Sequence, residues 1–133
     1  MTEERREGRE MSGPYAASPM NLIKASSLKD TKVKNKANED LGKIDDFVMH
    51  LDSGKIAYAV LSFGGVMGIG NKLFAVPWNA LSMDRGTHEF ILDVPKEKLK
   101  NAPGFDKDNW PDMANPAWGE DIHKFYGQTY PGW

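Results

Sequence analysis

A chain of 133 residues, 40% hydrophobic and 27% charged, has room for one self-sufficient core plus tails, burying roughly two thirds of the surface that its unfolded form exposes. It has no cysteine, which excludes disulfides, thiolate nucleophiles, iron–sulfur clusters and cysteine-bound zinc. No apolar run approaches the roughly 20 residues a membrane-spanning helix needs, and a formal net charge of -2 does not by itself demand a highly charged partner.

The charge is unevenly spread. Residues 1–19 carry four acids against three arginines, residues 20–103 twelve bases against ten acids, and residues 104–133 five acids against Lys107 and Lys124. This predicts a flexible N-terminal tail over 1–19, a weakly basic domain over 20–103, and an acidic aromatic extension over 104–133. The tail has no apolar stripe to dock and no apolar segment of the secretory kind, so the expected location is cytoplasmic.

In chain order, residues 22–25 read as a short strand ended by a turn at Ser26, Ser27 and Leu28. Residues 31–33 read as a second strand, and residues 35–40 as a polar turn. Residues 41–51 and 56–63 are β-rich runs joined by Asp52, Ser53, Gly54 and Lys55. They predict a hairpin in which Gly54 takes positive φ. A glycine-rich connection over 64–71 leads to a strand in which Leu73 and Ala75 face away from Phe74 and Val76. Pro77 closes that strand or sets it at an edge.

Residues 81–83 and 88–92 flank the turn Asp84-Arg85-Gly86-Thr87 and predict a further hairpin. Pro95 opens a short helix over 96–101 that Pro103 and Gly104 stop. In the extension, Trp118, Ile122 and Phe125 share one helical face, which predicts a single docked helical turn in an otherwise irregular tail. The fold class expected is mainly β, a small barrel with one or two short helices.

Four segments together carry a family resemblance: Glu39-Asp40-Leu41-Gly42-Lys43-Ile44; Asp52 through Leu61; Gly64-Gly65 with Gly68-Ile69-Gly70; and Phe74-Ala75-Val76-Pro77-Trp78. Their order and spacing resemble a PRC-barrel domain over about residues 22–92. The resemblance implies a compact antiparallel β-barrel that contacts protein or ribonucleoprotein partners, often self-associates, and has no enzymatic activity. It is similar to the small stand-alone bacterial members of the family.

Several stretches imitate reactive sites. Residues 65–72 approach a phosphate-binding loop, but the lysine falls one place late and a strand follows where a helix N-terminus is needed. Asp106, Asp108 and Asp112 have calcium-like spacing, yet Pro111 stands where an EF-hand loop needs glycine and Ala117 where it needs glutamate. His50, His88 and His123 are dispersed, without metal-binding spacing. Asp45 and Asp46 are adjacent on a strand and point to opposite faces unless a bulge intervenes. No catalytic residue, cofactor or metal site is expected.

Two binding features remain. Trp110, Trp118, Ile122, Phe125, Tyr126 and Trp133 are candidate partner contacts, because aromatic side chains dominate binding hot spots. The partner expected is a protein, most simply a second copy in a homodimer, with no membrane insertion. Lys32, Lys34 and Lys36 alternate along a strand and offer the rival reading, an RNA- or ribosome-associated accessory module.

Overall fold

The computed structural model describes residues 22–64 and 72–132. Six strands form one sheet: β1 (Lys32–Lys34), β2 (Asp40–His50), β3 (Lys55–Phe63), β4 (Lys72–Pro77), β5 (Leu81–Asp84) and β6 (Glu89–Leu92). Two helices follow, α1 (Lys96–Lys100) and α2 (Pro116–Phe125). The spatial order is β4-β3-β2-β1-β6-β5. Four pairings are antiparallel, while β1 and β6 run parallel, with Val33 beside Phe90 and Lys34 beside Ile91. The expected tail over 1–19 and the phosphate-loop imitation at 65–71 lie outside the described residues.

Chain connectivity explains why the sheet curls. The edge strands β4 and β5 are joined only by a 3-10 turn, Trp78–Ala80, and the four peptide steps from Pro77 to Leu81 reach at most about 14 Å. The five gaps of a flat six-stranded sheet would separate its edges by about 24 Å. The sheet must therefore bend into a half-barrel. Trp78 fills the bend, its ring edge-on to Phe47 of β2 at 6.1 Å and to Phe90 of β6 at 5.7 Å.

The β2–β3 hairpin forms where it is expected, with Gly54 at φ 73. Its turn is fastened by His50 Nδ1 and Ser53 Oγ, 2.8 Å apart. From Ala57 to Phe63, β3 is buried on both faces, as an unbroken apolar run requires when a sheet is covered on both sides. Its Ala57, Ala59, Leu61 and Phe63 alternate with Tyr58, Val60 and Ser62, and α2 packs over Tyr58. Gly42, at φ 96, crosses β3 so closely that a Cβ there would collide with the Ser62 carbonyl.

Three local expectations need correction. Residues 22–25 form no strand: a 3-10 turn runs over Ala25–Ser27, closed by Ser27 N–H to Lys24 O at 3.0 Å. Leu22 is exposed, so an extended chain there would bury little apolar surface. In the extension, the single turn expected is a ten-residue helix, α2. Pro116, a residue that breaks helix interiors, stands in the first turn, where it is tolerated, and Asn115 Oδ1 caps that end by accepting the Ala117 N–H at 3.0 Å. Finally, the register slips between Ile44 and Asp46, so a bulge interrupts the alternation assumed for Asp45 and Asp46.

Candidate functional site

The aromatic extension is built from the backbone outward. Helix α2 ends in a Schellman motif: Gln128 N–H donates to His123 O at 2.8 Å and Gly127 N–H to Lys124 O at 3.1 Å, with Gly127 at φ 70, the left-handed conformation that glycine adopts without strain. The returning chain lays Tyr130 over α2, leaving no room for a side chain at Gly119. Tyr130 and Tyr58 both approach the His123 ring edge-on, at 5.3 and 5.4 Å. His123 Nδ1 donates to the Gly119 carbonyl at 2.8 Å, which fixes the tautomer of a buried imidazole.

The six candidate contact residues fall into different environments. Ile122 and Tyr126 are buried in the hydrophobic core. The Tyr126 hydroxyl has no hydrogen-bond partner among the described residues, and burial pushes its pKa upward. Trp118 and Phe125 are half-buried at the core margin. Trp118 meets Tyr58 edge-on at 5.2 Å, and the Phe125 ring lies 5.2 Å beneath the Lys98 ammonium. Trp110 is 40% exposed and leans on Phe105 at 5.0 Å. Trp133 lies outside the described residues.

Phe105 itself is tied to the sheet, exchanging both peptide hydrogen bonds with Leu73 at 2.8 and 2.9 Å. Trp110 is thus held on a fixed platform. Elsewhere, Leu51 at the β2–β3 turn is 90% exposed and Met49 is also exposed.

The lysine row does not act as one face. Lys34 is enclosed by Asp84 Oδ2 at 3.0 Å and Glu89 Oε1 at 3.5 Å. Its pKa is raised, chiefly by the hydrogen bond to Asp84, and Asp84 is held down to about 2, chiefly by the same bond and by the Gly86 N–H. Lys36 lies beyond the end of β1 and meets Asp93 at 3.4 Å. Only Lys32 stays outside these pairs.

The other imitations resolve into local structure. Asp112 Oδ1 accepts the Ala114 N–H at 3.1 Å, and Asp106 closes a turn on Asn109 through its backbone. Among the described residues no three His, Asp or Glu side chains gather in a metal-binding group, and no helix is long and apolar enough to cross a membrane.

One organising residue escaped the sequence reading. Asn35 is buried and satisfies four groups: Oδ1 accepts the Ala37 and Glu39 N–H groups at 3.0 and 2.9 Å, while Nδ2 donates to Glu39 Oε1 at 2.7 Å and Val94 O at 3.1 Å. Glu39 Oε1 also accepts the Lys96 N–H at 3.2 Å. The Asn35 amide, with the Lys96 N–H second, holds the Glu39 carboxyl below its ordinary pKa. The only signal in the sequence was the polar cluster itself.

A curled six-stranded sheet whose edges are joined by one short aromatic turn is the expected barrel architecture, and the sequence signature of the PRC-barrel domain matches residues 20–99, more than half of the chain. The chain belongs to the PRC-barrel family. PRC-barrel domains are general protein-interaction modules, and the family is not a known enzyme family. No curated protein matches the chain. The segment that bears α2 lies beyond the matched residues, yet it contributes Ile122 and Tyr126 to the same core as the barrel.

Proposed function

We propose that this PRC-barrel chain is a non-enzymatic protein-interaction module that self-associates as a homodimer through its aromatic extension. The observation that carries the reading is Trp110, an exposed indole on the fixed platform of Phe105. A large, rigid aromatic surface that loses little entropy on docking is the usual anchor of a protein interface. Trp118 and Phe125, half-buried at the core margin, are further candidate contacts, while Ile122 and Tyr126 hold α2 in place from beneath.

Deleting the extension would strip a wall from the core, so the test is a point substitution. Light scattering across a concentration series, up to tens of micromolar, should give a dimer mass for the full chain and a monomer mass for Trp110→Ala with unchanged far-ultraviolet circular dichroism. A monomeric parent protein, or a variant that stays dimeric, sinks the proposal.

A further inference from the structure

A groove of about 700 Å³ opens where β1, β2 and the adjoining ends of β3 and β4 meet α1. Five lysines line it: Lys32, Lys43, Lys72, Lys96 and Lys100. The one acid in the lining, Asp40, has its carboxylate turned to the Gly42 N–H at 2.9 Å. These lysines are far apart in sequence and are gathered by the fold, which explains why the alternating row Lys32, Lys34 and Lys36 was the wrong set to read.

The charge in the groove is poorly compensated. Lys43 and Lys100 reach Asp30 and Glu97 at 3.5 and 3.0 Å, both outside the groove lining. Lys32 and Lys72 have no ion-pair partner among the described residues, while the Glu39 carboxylate attracts Lys96 and Lys100 without pairing closely with either. Lys32 and Lys43 also stand directly opposite each other in the β1–β2 ladder, a placement that destabilises a sheet. On the other side of β1, by contrast, Lys34 is neutralised by two carboxylates. A cluster that is only partly compensated, and is kept at a cost to the sheet, favours an anion from outside.

We infer that the groove docks an acidic, extended peptide segment of a partner protein. The cations are flexible ammonium groups, suited to separate carboxylates, and the lining has no arginine fork to grip a phosphate in two places. Phe63 and Phe74 in the lining are buried, so neither ring is free to stack on a nucleic-acid base. Trp110 is not among the lining residues, and the contact does not depend on dimerisation.

The test is a low-salt NMR titration of the isotope-labelled full chain with hexaglutamate, and in parallel with a thymidine hexanucleotide. Hexaglutamate should give saturable shifts at the amides of Gly42, Lys43, Ser62 and Lys72. Lys32→Glu with Lys72→Glu should weaken binding at least tenfold, whereas Lys29→Glu with Lys107→Glu, an equal change of net charge outside the groove, should leave it within twofold. Lys32→Glu should also raise the melting temperature by giving Lys43 an opposite charge, so lost binding cannot be ascribed to lost folding. The absence of saturable shifts, equal weakening by both double variants, or tighter binding of the oligonucleotide each overturns the assignment.

Discussion

Lys34 and Asp84 form an ion pair at 3.0 Å across an intervening strand, for β6 separates β1 from β5. The pair staples the parallel β1–β6 junction from above, and both side chains are only partly exposed. Asp84 titrates near 2 in the folded protein, against an ordinary value of 3.8. A depressed carboxyl contributes stability that is complete above its unfolded pKa and is lost as pH falls through the folded one. Asp84→Asn should therefore melt below the parent at pH 7, and the gap should close between pH 4 and 2. Melting curves at several pH values check this, and a gap independent of pH would refute it.

Asn35 makes a different prediction. Alanine there would orphan the Ala37 and Glu39 N–H groups and the Val94 carbonyl, each costing up to a few kcal/mol if it stays buried. With water reaching some of them, the expected loss is about 2–3 kcal/mol by urea denaturation. Asn35→Asp should recover only part, since its carboxylate cannot donate to Val94 O.

Tyr126 should behave in the opposite way. Its hydroxyl is buried without a hydrogen bond among the described residues, so Tyr126→Phe removes a desolvation cost and keeps the ring. We expect a gain of about 1 kcal/mol, seen as a melting temperature higher by roughly 4 °C. A loss would reveal a partner for the hydroxyl.

Gly42→Ala tests the closest approach of backbone in the sheet. The position combines φ 96 with contact against the Ser62 carbonyl, so strain and collision add. The expected cost is at least about 2 kcal/mol, whereas Gly54→Ala, at φ 73 with open space around it, should cost about 1 kcal/mol. Equal losses would show that backbone conformation alone sets the penalty.

What could be read in the sequence follows the range of each interaction. The β2–β3 and β5–β6 hairpins were legible because alternation and turn chemistry are local. Pro77 marked its strand's end for the same reason. The parallel pairing of β1 with β6 was not legible, since about 60 residues separate partners that no turn connects. The Trp118, Ile122 and Phe125 stripe showed only part of α2, which starts at Pro116, harmless in a first turn, and holds a Gly119 that makes room for Tyr130. The lysines were misgrouped because their acids, Asp84, Glu89 and Asp93, come from a distant hairpin and the loop after it.

The bridge between Leu73 and Phe105 decides what the rim of the half-barrel can do. Because peptide groups alternate in direction along a strand, the outward-facing positions of β4 are Leu73, Ala75 and Pro77. Phe105 already occupies the first, and proline has no N–H to offer at the third. A single residue, Ala75, is left to greet an incoming strand, too little to seed a growing ribbon. Along β4, therefore, copies of this protein can meet through side chains without adding a strand to the sheet.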